Sequence, residues 1–273
     1  MLITDYFVLI NFPKTGSTFA REAISEIYKK RKEKLSLLRN ILYLIGYRRG
    51  CFLKELYLPK IEFRNEKGGI TDQHGHYEQI PDEFRNKPVL SIVRDPVVRN
   101  ISFYEYGWWK ENYNAPLEEI ISNFPTFPEL DFSTYLKFQK LNSRYRDTGV
   151  VITDEVGVQT INFIQFYFKD PAEAFKKLND NYINKGEYKD DLPDLTLLRT
   201  EHLNEDLYSY LIKAGFSANE LDFIKNKKPV RPEQTERKTE KGRYSYIDDY
   251  IREKIRYSER YLYKIYSDFG IEY

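Results

Sequence analysis

The 273-residue chain is poor in the residues that build stapled or metal-held domains. Its one cysteine, Cys51, excludes an intramolecular disulfide framework and a cysteine-based zinc site. Three histidines, His74, His76 and His202, leave few ways to assemble a His-rich metal centre. Neither sign of charge is in excess: 43 Lys and Arg against 42 Asp and Glu give +1, so no global field recruits a nucleic acid or another polyanion. Any anion site has to be local. No run reaches the ~18 consecutive apolar residues of a membrane span. Residues Met1 to Asn11 lack the basic region and small-residue cleavage site of a signal peptide, and the expectation is a soluble, cytoplasmic protein. The nearest approach to a membrane element is Leu35 to Tyr47, broken by Arg39 and Asn40 and flanked by basic residues. It reads as a buried or groove-facing helix, with interfacial binding as the alternative.

At ~150 residues per domain the length lies between one domain and two, and a single domain over residues 1–273 is the simpler reading. Tyr6 to Asn11 reads as a buried strand, followed by the loop Phe12-Pro13-Lys14-Thr15-Gly16-Ser17-Thr18 and a helix carrying Phe19, Ile24 and Ile27. Pro88 to Arg94 is a second strand; Asp95 then offers an N-cap and Pro96 a first helical residue, predicting a helix over 96–110. Leu195 to Arg199 is a third, followed by a helix over 204–214 that stops at Gly215. Three strands, each feeding a helix, predict a parallel sheet covered on both faces. Residues of about 113–193 read as an irregular or short-helical insertion. Lys225 to Arg243, with eight basic residues and two prolines, reads as a loop. Ile247, Ile251, Ile255, Leu262 and Ile265 predict one long closing helix before Gly270.

The first loop has the ingredients of a phosphate site. The opening N–H groups of a helix lack internal partners and its dipole favours an anion there. Lys14 adds a positive charge, and Thr15, Ser17 and Thr18 flank Gly16 with hydroxyls. A polar turn that merely caps a helix is the alternative. The loop is not a Walker A motif, because Lys14 precedes the glycine and Ser17 stands where that motif needs lysine. At the second strand Arg94 ends at the same sheet edge and Ser102 follows eight residues on, which fits either an anion site or a salt-bridged structural arginine.

Taken together, Phe12 to Thr18 and Ile92-Val93-Arg94-Asp95-Pro96-Val97-Val98-Arg99-Asn100-Ile101-Ser102-Phe103-Tyr104 resemble the two nucleotide elements of sulfotransferases that use 3′-phosphoadenosine 5′-phosphosulfate (PAPS), carbohydrate-type members in particular. The resemblance implies a three-layer α/β sandwich with a central parallel sheet, of the P-loop-NTPase-like sulfotransferase type. It implies that residues 14–18 hold the 5′-phosphosulfate and that Arg94 and Ser102 hold the 3′-phosphate. PAPS is then the co-substrate, the bisphosphate PAP a product, the acceptor a hydroxyl of a saccharide or glycan, and no metal is needed.

Between the two elements lies Thr71-Asp72-Gln73-His74-Gly75-His76-Tyr77, similar to the uronyl 2-O-sulfotransferase type in which the His after the Gly is the base. An imidazole suits proton removal near neutral pH. This makes His76 the expected base, His74 an orienting or substitute group and Glu78 a weaker candidate. A satisfied core or surface histidine is the plain alternative. Lys14 is expected to stabilise charge on the departing phosphate oxygen. Lys241-Gly242-Arg243 resembles a stretch that some carbohydrate sulfotransferases lay over the nucleotide. Trp108 and Trp109 offer a sugar-stacking face or core, and Leu198 to Leu203 resembles a family strand-to-helix junction with a structural role. Competing classes are a P-loop kinase or other NTPase and a non-catalytic nucleotide-binding module.

Overall fold

The computed structural model describes residues 1–34, 52–60, 71–146, 155–230 and 247–273. The expected helix over Leu35 to Tyr47 and the stretch Lys241 to Arg243 lie outside them. The chain divides into two compact units, one of Met1–Leu58, Thr71–Arg94 and Pro193–Arg231, the other of Pro59–Ile70, Asp95–Leu192 and Pro232–Tyr273.

The first unit is α/β. Its strands are β1 (Leu2–Thr4), β2 (Val8–Ile10), β3 (Leu53–Glu55), β6 (Val89–Val93) and β7 (Leu195–Arg199), in sheet order β3-β1-β2-β6-β7. Two further short strands, β4 (Leu58–Pro59) and β5 (Thr71–Asp72), pair as a separate ribbon. The three strands expected from sequence, β2, β6 and β7, are parallel neighbours, with Val8 beside Val89 and Val89 beside Leu195. The sheet as a whole is mixed, which corrects the expectation of a purely parallel one. Strand β1 runs antiparallel to both β2 and β3. Its physical basis is a tight turn: the Thr4 hydroxyl donates to the Phe7 carbonyl at 2.8 Å and accepts from the Phe7 N–H at 2.9 Å, folding three residues back as a hairpin.

Every residue of β1, β2 and β6 is buried, the pattern of strands covered on both faces. On one face helix α1 (Ser17–Lys34) packs through Phe19, Ala20, Ala23, Ile24, Ile27 and Tyr28, the spacing of one helical stripe, against Leu9, Leu90, Ile92 and Leu198. Leu203, Leu207 and Leu211 of a later helix, Leu203–Lys213, join that core. Arg31 of α1 clasps Glu220 at 2.8 Å, and this pairing with the guanidinium holds the Glu220 carboxyl down at about 2.

From Asp95 on, the regular elements described in the second unit are helices. Asp95 caps Pro96–Tyr106 by accepting from the Val98 N–H at 2.9 Å, as expected. That helix ends before the expected Lys110 because Gly107, at φ +71°, turns the chain left-handed. The stretch expected to be irregular or short-helical is a succession of short helices, with Asp131 capping Phe132–Ser143 and Asp170 capping Pro171–Lys177. Its core is aromatic: buried Trp109 packs against Tyr135 and Phe138 at ring distances of 4.9 and 5.5 Å. Trp109 is thus core, and only Trp108 keeps exposed surface. Among the described residues no helix is long and apolar enough to cross a membrane.

The single closing helix is two, Asp249–Ser258 and Arg260–Asp268, with Glu259 between them. Glu259 turns inward, 3% exposed, and caps the helix Val158–Tyr167, accepting from the Gln159 N–H at 2.9 Å and from the Thr160 N–H and hydroxyl at 2.8 Å each. Burial pushes its carboxyl above the usual range, and three donors offset part of that cost. Apolar periodicity continues through the break, so it carries no sign of it.

Candidate functional site

The parallel strands β2, β6 and β7 bring their carboxyl ends to one edge of the first unit, where ligands bind in open α/β sheets. Three segments start there: the loop after Ile10, Arg94 after Val93, and Thr200 after Arg199.

The loop has an unusual backbone. Lys14 sits at φ +66°, the one non-glycine residue with positive φ among those described, and Gly16 at φ +82°. A left-handed lysine costs ~1–2 kcal/mol, a strain of the kind that gathers at ligand sites. Left-handed residues alternating with ordinary ones turn successive N–H groups toward a common concavity suited to an anion. The demand at Gly16 is conformational; a Cβ there would crowd only the end of Leu203, 3.3 Å from its Cδ2. Thr15 and Ser17 are buried, and their hydroxyls donate to the Phe12 carbonyl at 2.8 and 3.1 Å. Their protons therefore shape the loop. Lys14, Gly16 and Thr18 retain exposed surface.

The histidine segment is tied to the base of this loop. His74 Nδ1 lies 2.7 Å from the Asn11 carbonyl, and Asn11 immediately precedes Phe12. A carbonyl only accepts, so Nδ1 carries the proton, and in the neutral form of the ring Nε2 is the acceptor nitrogen. The Asp72 carboxylate accepts from the His74 N–H at 2.7 Å, and the Asn11 amide donates to the Gln73 carbonyl at 3.2 Å. Gly75 passes so close to its neighbours that a Cβ would lie 2.4 Å from Leu58 Cδ1. His76 is 2% exposed, and its N–H donates to the Gln79 side chain at 2.9 Å, whereas His74 is half-buried. Of the pair, His74 is the one whose side chain keeps accessible surface, while the His76 side chain lies buried in a capping box with Gln79; nothing in the pattern His-Gly-His distinguishes the two. Glu78 is exposed.

Arg94 is half-buried at the end of β6. The second arginine of that motif, Arg99, is 1% exposed inside the helical unit, where it donates to the Gln159 side chain and burial lowers its pKa to about 10. It is a core arginine. Ser102 lies on Pro96–Tyr106 in the second unit and is buried. Asp95 uses one carboxylate oxygen as the helix cap and accepts from the Tyr263 hydroxyl at 3.2 Å with the other, an arrangement ill suited to a magnesium-holding Walker B carboxylate.

One residue read from sequence as purely structural belongs to this edge. The Thr200 hydroxyl lies 2.6 Å from the Thr15 carbonyl and 2.8 Å from the Val93 carbonyl. The structure therefore gathers Lys14 to Thr18, His74, Arg94 and Thr200 at the carboxyl edge of one sheet. The chain matches no protein-family model, no curated protein and no solved structure.

Proposed function

We propose that the chain is a PAPS-dependent sulfotransferase acting on a hydroxyl acceptor, with a saccharide or glycan as the acceptor class. The observation that carries this reading is the loop: a lysine held left-handed ahead of Gly16, at the carboxyl ends of three parallel strands, with the ring of His74 hydrogen-bonded at its base. In this role residues 14–18 hold the 5′-phosphosulfate and Arg94 the 3′-phosphate. The fold assigned to the reading is the P-loop-like sulfotransferase fold.

The chemistry is an in-line displacement at sulfur. An imidazole takes the acceptor's proton as its oxygen forms the new S–O bond, and the bond from sulfur to the phosphate oxygen breaks. Lys14 and the loop N–H groups stabilise charge on the departing phosphate, a preorganised field that costs no reorganisation during the reaction. The tautomer fixed by Asn11 gives His74 the acceptor nitrogen this step requires, and we assign the base to His74, with His76 as its buried neighbour.

Release of PAP from PAPS with an acceptor mixture tests the assignment. His74→Ala is expected to lower transfer by ~10²-fold or more, the span of general-base removal, with PAP affinity kept. His76→Ala is expected to act more weakly, through packing. Loss in His76→Ala with activity retained in His74→Ala would move the base to His76. Full activity in neither variant nor wild type, with PAP still bound, would leave a nucleotide-binding module without turnover.

A further inference from the structure

A hydroxyl carries one proton, yet that of Thr200 lies within bonding distance of two carbonyls on two other elements, at 2.6 Å from Thr15 and 2.8 Å from Val93. Those partners are 185 and 107 residues away in the chain. The contact is therefore not the local capping that a threonine at a strand-to-helix junction ordinarily supplies. The junction has its own anchor: the Arg199 fork meets Asp206 at 2.8 and 2.9 Å, and the Arg199 N–H donates to the same carboxylate at 3.0 Å. Held by that pair, Thr200 is a fixed point from which its hydroxyl reaches out.

Strand β6 lies between β2 and β7, so the hydroxyl joins the carboxyl ends of all three. Thr15 lies in the anion loop, one residue past Lys14; Val93 is the residue before Arg94. The methyl group of Thr200 also faces this loop, lying 3.6 Å from where a Cβ on Gly16 would stand. Behind it the β2–β6 ladder and the Ser91 hydroxyl, which donates to the Ile10 carbonyl at 2.7 Å, hold the strands together, and Thr200 adds the tie at their ends between the Lys14 loop and the residue before Arg94.

We infer that Thr200 is a positioning residue that fixes the spacing between the Lys14 loop and Arg94, and so selects a ligand with an anionic group at each of two ends, a nucleoside 3′,5′-bisphosphate. The inference rests on the proposed reading, in which the two elements hold two phosphates of one nucleotide. A ligand engaging one element is indifferent to the spacing. A ligand engaging both gains from the second contact only when the separation matches, because the second contact is then intramolecular.

The test is calorimetric binding of adenosine 3′,5′-bisphosphate (PAP), 5′-AMP and 3′-AMP to wild type, Thr200→Val, Thr200→Ser and Thr200→Ala. Valine keeps the shape and removes the hydroxyl; alanine serves should valine fail to fold. PAP affinity is expected to fall ~10-fold in Thr200→Val, the worth of about one hydrogen bond, while each monophosphate changes by about twofold or less. Serine is expected to restore the wild-type preference. Uniform weakening of all three ligands would mark general loosening and overturn the clamp, as would an unchanged preference for PAP in both the valine and alanine variants. A wild type that binds PAP no better than either monophosphate would instead overturn the two-phosphate reading, and the clamp with it.

Discussion

Lys14→Gly is expected to lower sulfuryl transfer by ~10³-fold while leaving the fold as stable as wild type or ~0.5 kcal/mol more stable. The two halves of that expectation come from one observation. Lys14 is held at φ +66°, where an L-residue is strained and glycine is not. Relief of ~1–2 kcal/mol of strain is largely offset by the greater freedom glycine has in the unfolded chain. Stability therefore moves little. Activity moves greatly, because the ammonium is the charge assigned to the departing phosphate oxygen. Urea denaturation beside PAP release checks both. Transfer within threefold of wild type would remove Lys14 from the reaction, and a loss of more than ~1 kcal/mol would show that the strain had been misjudged.

Gly157→Ala is expected to destabilise the protein by ~3–5 kcal/mol, the scale of breaking a buried, hydrogen-bonded charge. Gly157 has an ordinary φ of −71°, so the demand there is for space. A Cβ would stand 2.2 to 2.4 Å from the Glu259 carboxylate atoms. The end of a glutamate usually swings aside at small cost. This one is 3% exposed and bonded to Gln159 and Thr160, and moving it strips the N-terminus of Val158–Tyr167 of its cap while keeping a carboxyl in the interior. Glu259→Ala removes the same interaction and makes room for the new methyl, so the double variant is expected to cost no more than Glu259→Ala alone, a strongly non-additive cycle. A Gly157→Ala protein within ~1 kcal/mol of wild type in urea would contradict this account of the cap.

What was legible in the chain follows from how local its cause is. Strands β2, β6 and β7, the loop at Lys14 and the Asp95 cap are each encoded within about ten neighbouring residues, as apolar runs, a glycine-bearing turn and an Asp-Pro pair, and each is found where expected. Leu2–Thr4 and Leu53–Glu55 are three residues each, too short to show a period; the reversal that lays β1 against β2 rests on the Thr4 turn, and the pairing of Leu53–Glu55 with β1 joins residues some fifty positions apart. The break at Glu259 was illegible because its cause is a helix end 99 and 100 residues earlier in sequence. Of the site, the residue types were legible but not their states. Sequence places two histidines two residues apart; their different burial and the Asn11 carbonyl against His74 appear only in the fold. Thr200 reads as a junction residue because both of its acceptors lie far away along the chain.

The central claim is that this edge of the sheet takes a 3′,5′-bisphosphate nucleotide. Thermal unfolding of wild type and Arg94→Ala with PAP, 5′-ADP and Mg-ATP tests it most directly, since a ligand at ~100 times its Kd adds ~2.7 kcal/mol of apparent stability. In a chain of this size that is a rise in Tm of ~5–10 °C. The account predicts such a rise with PAP alone, lost in Arg94→Ala. A rise with Mg-ATP and none with PAP would contradict it and favour a nucleotide kinase.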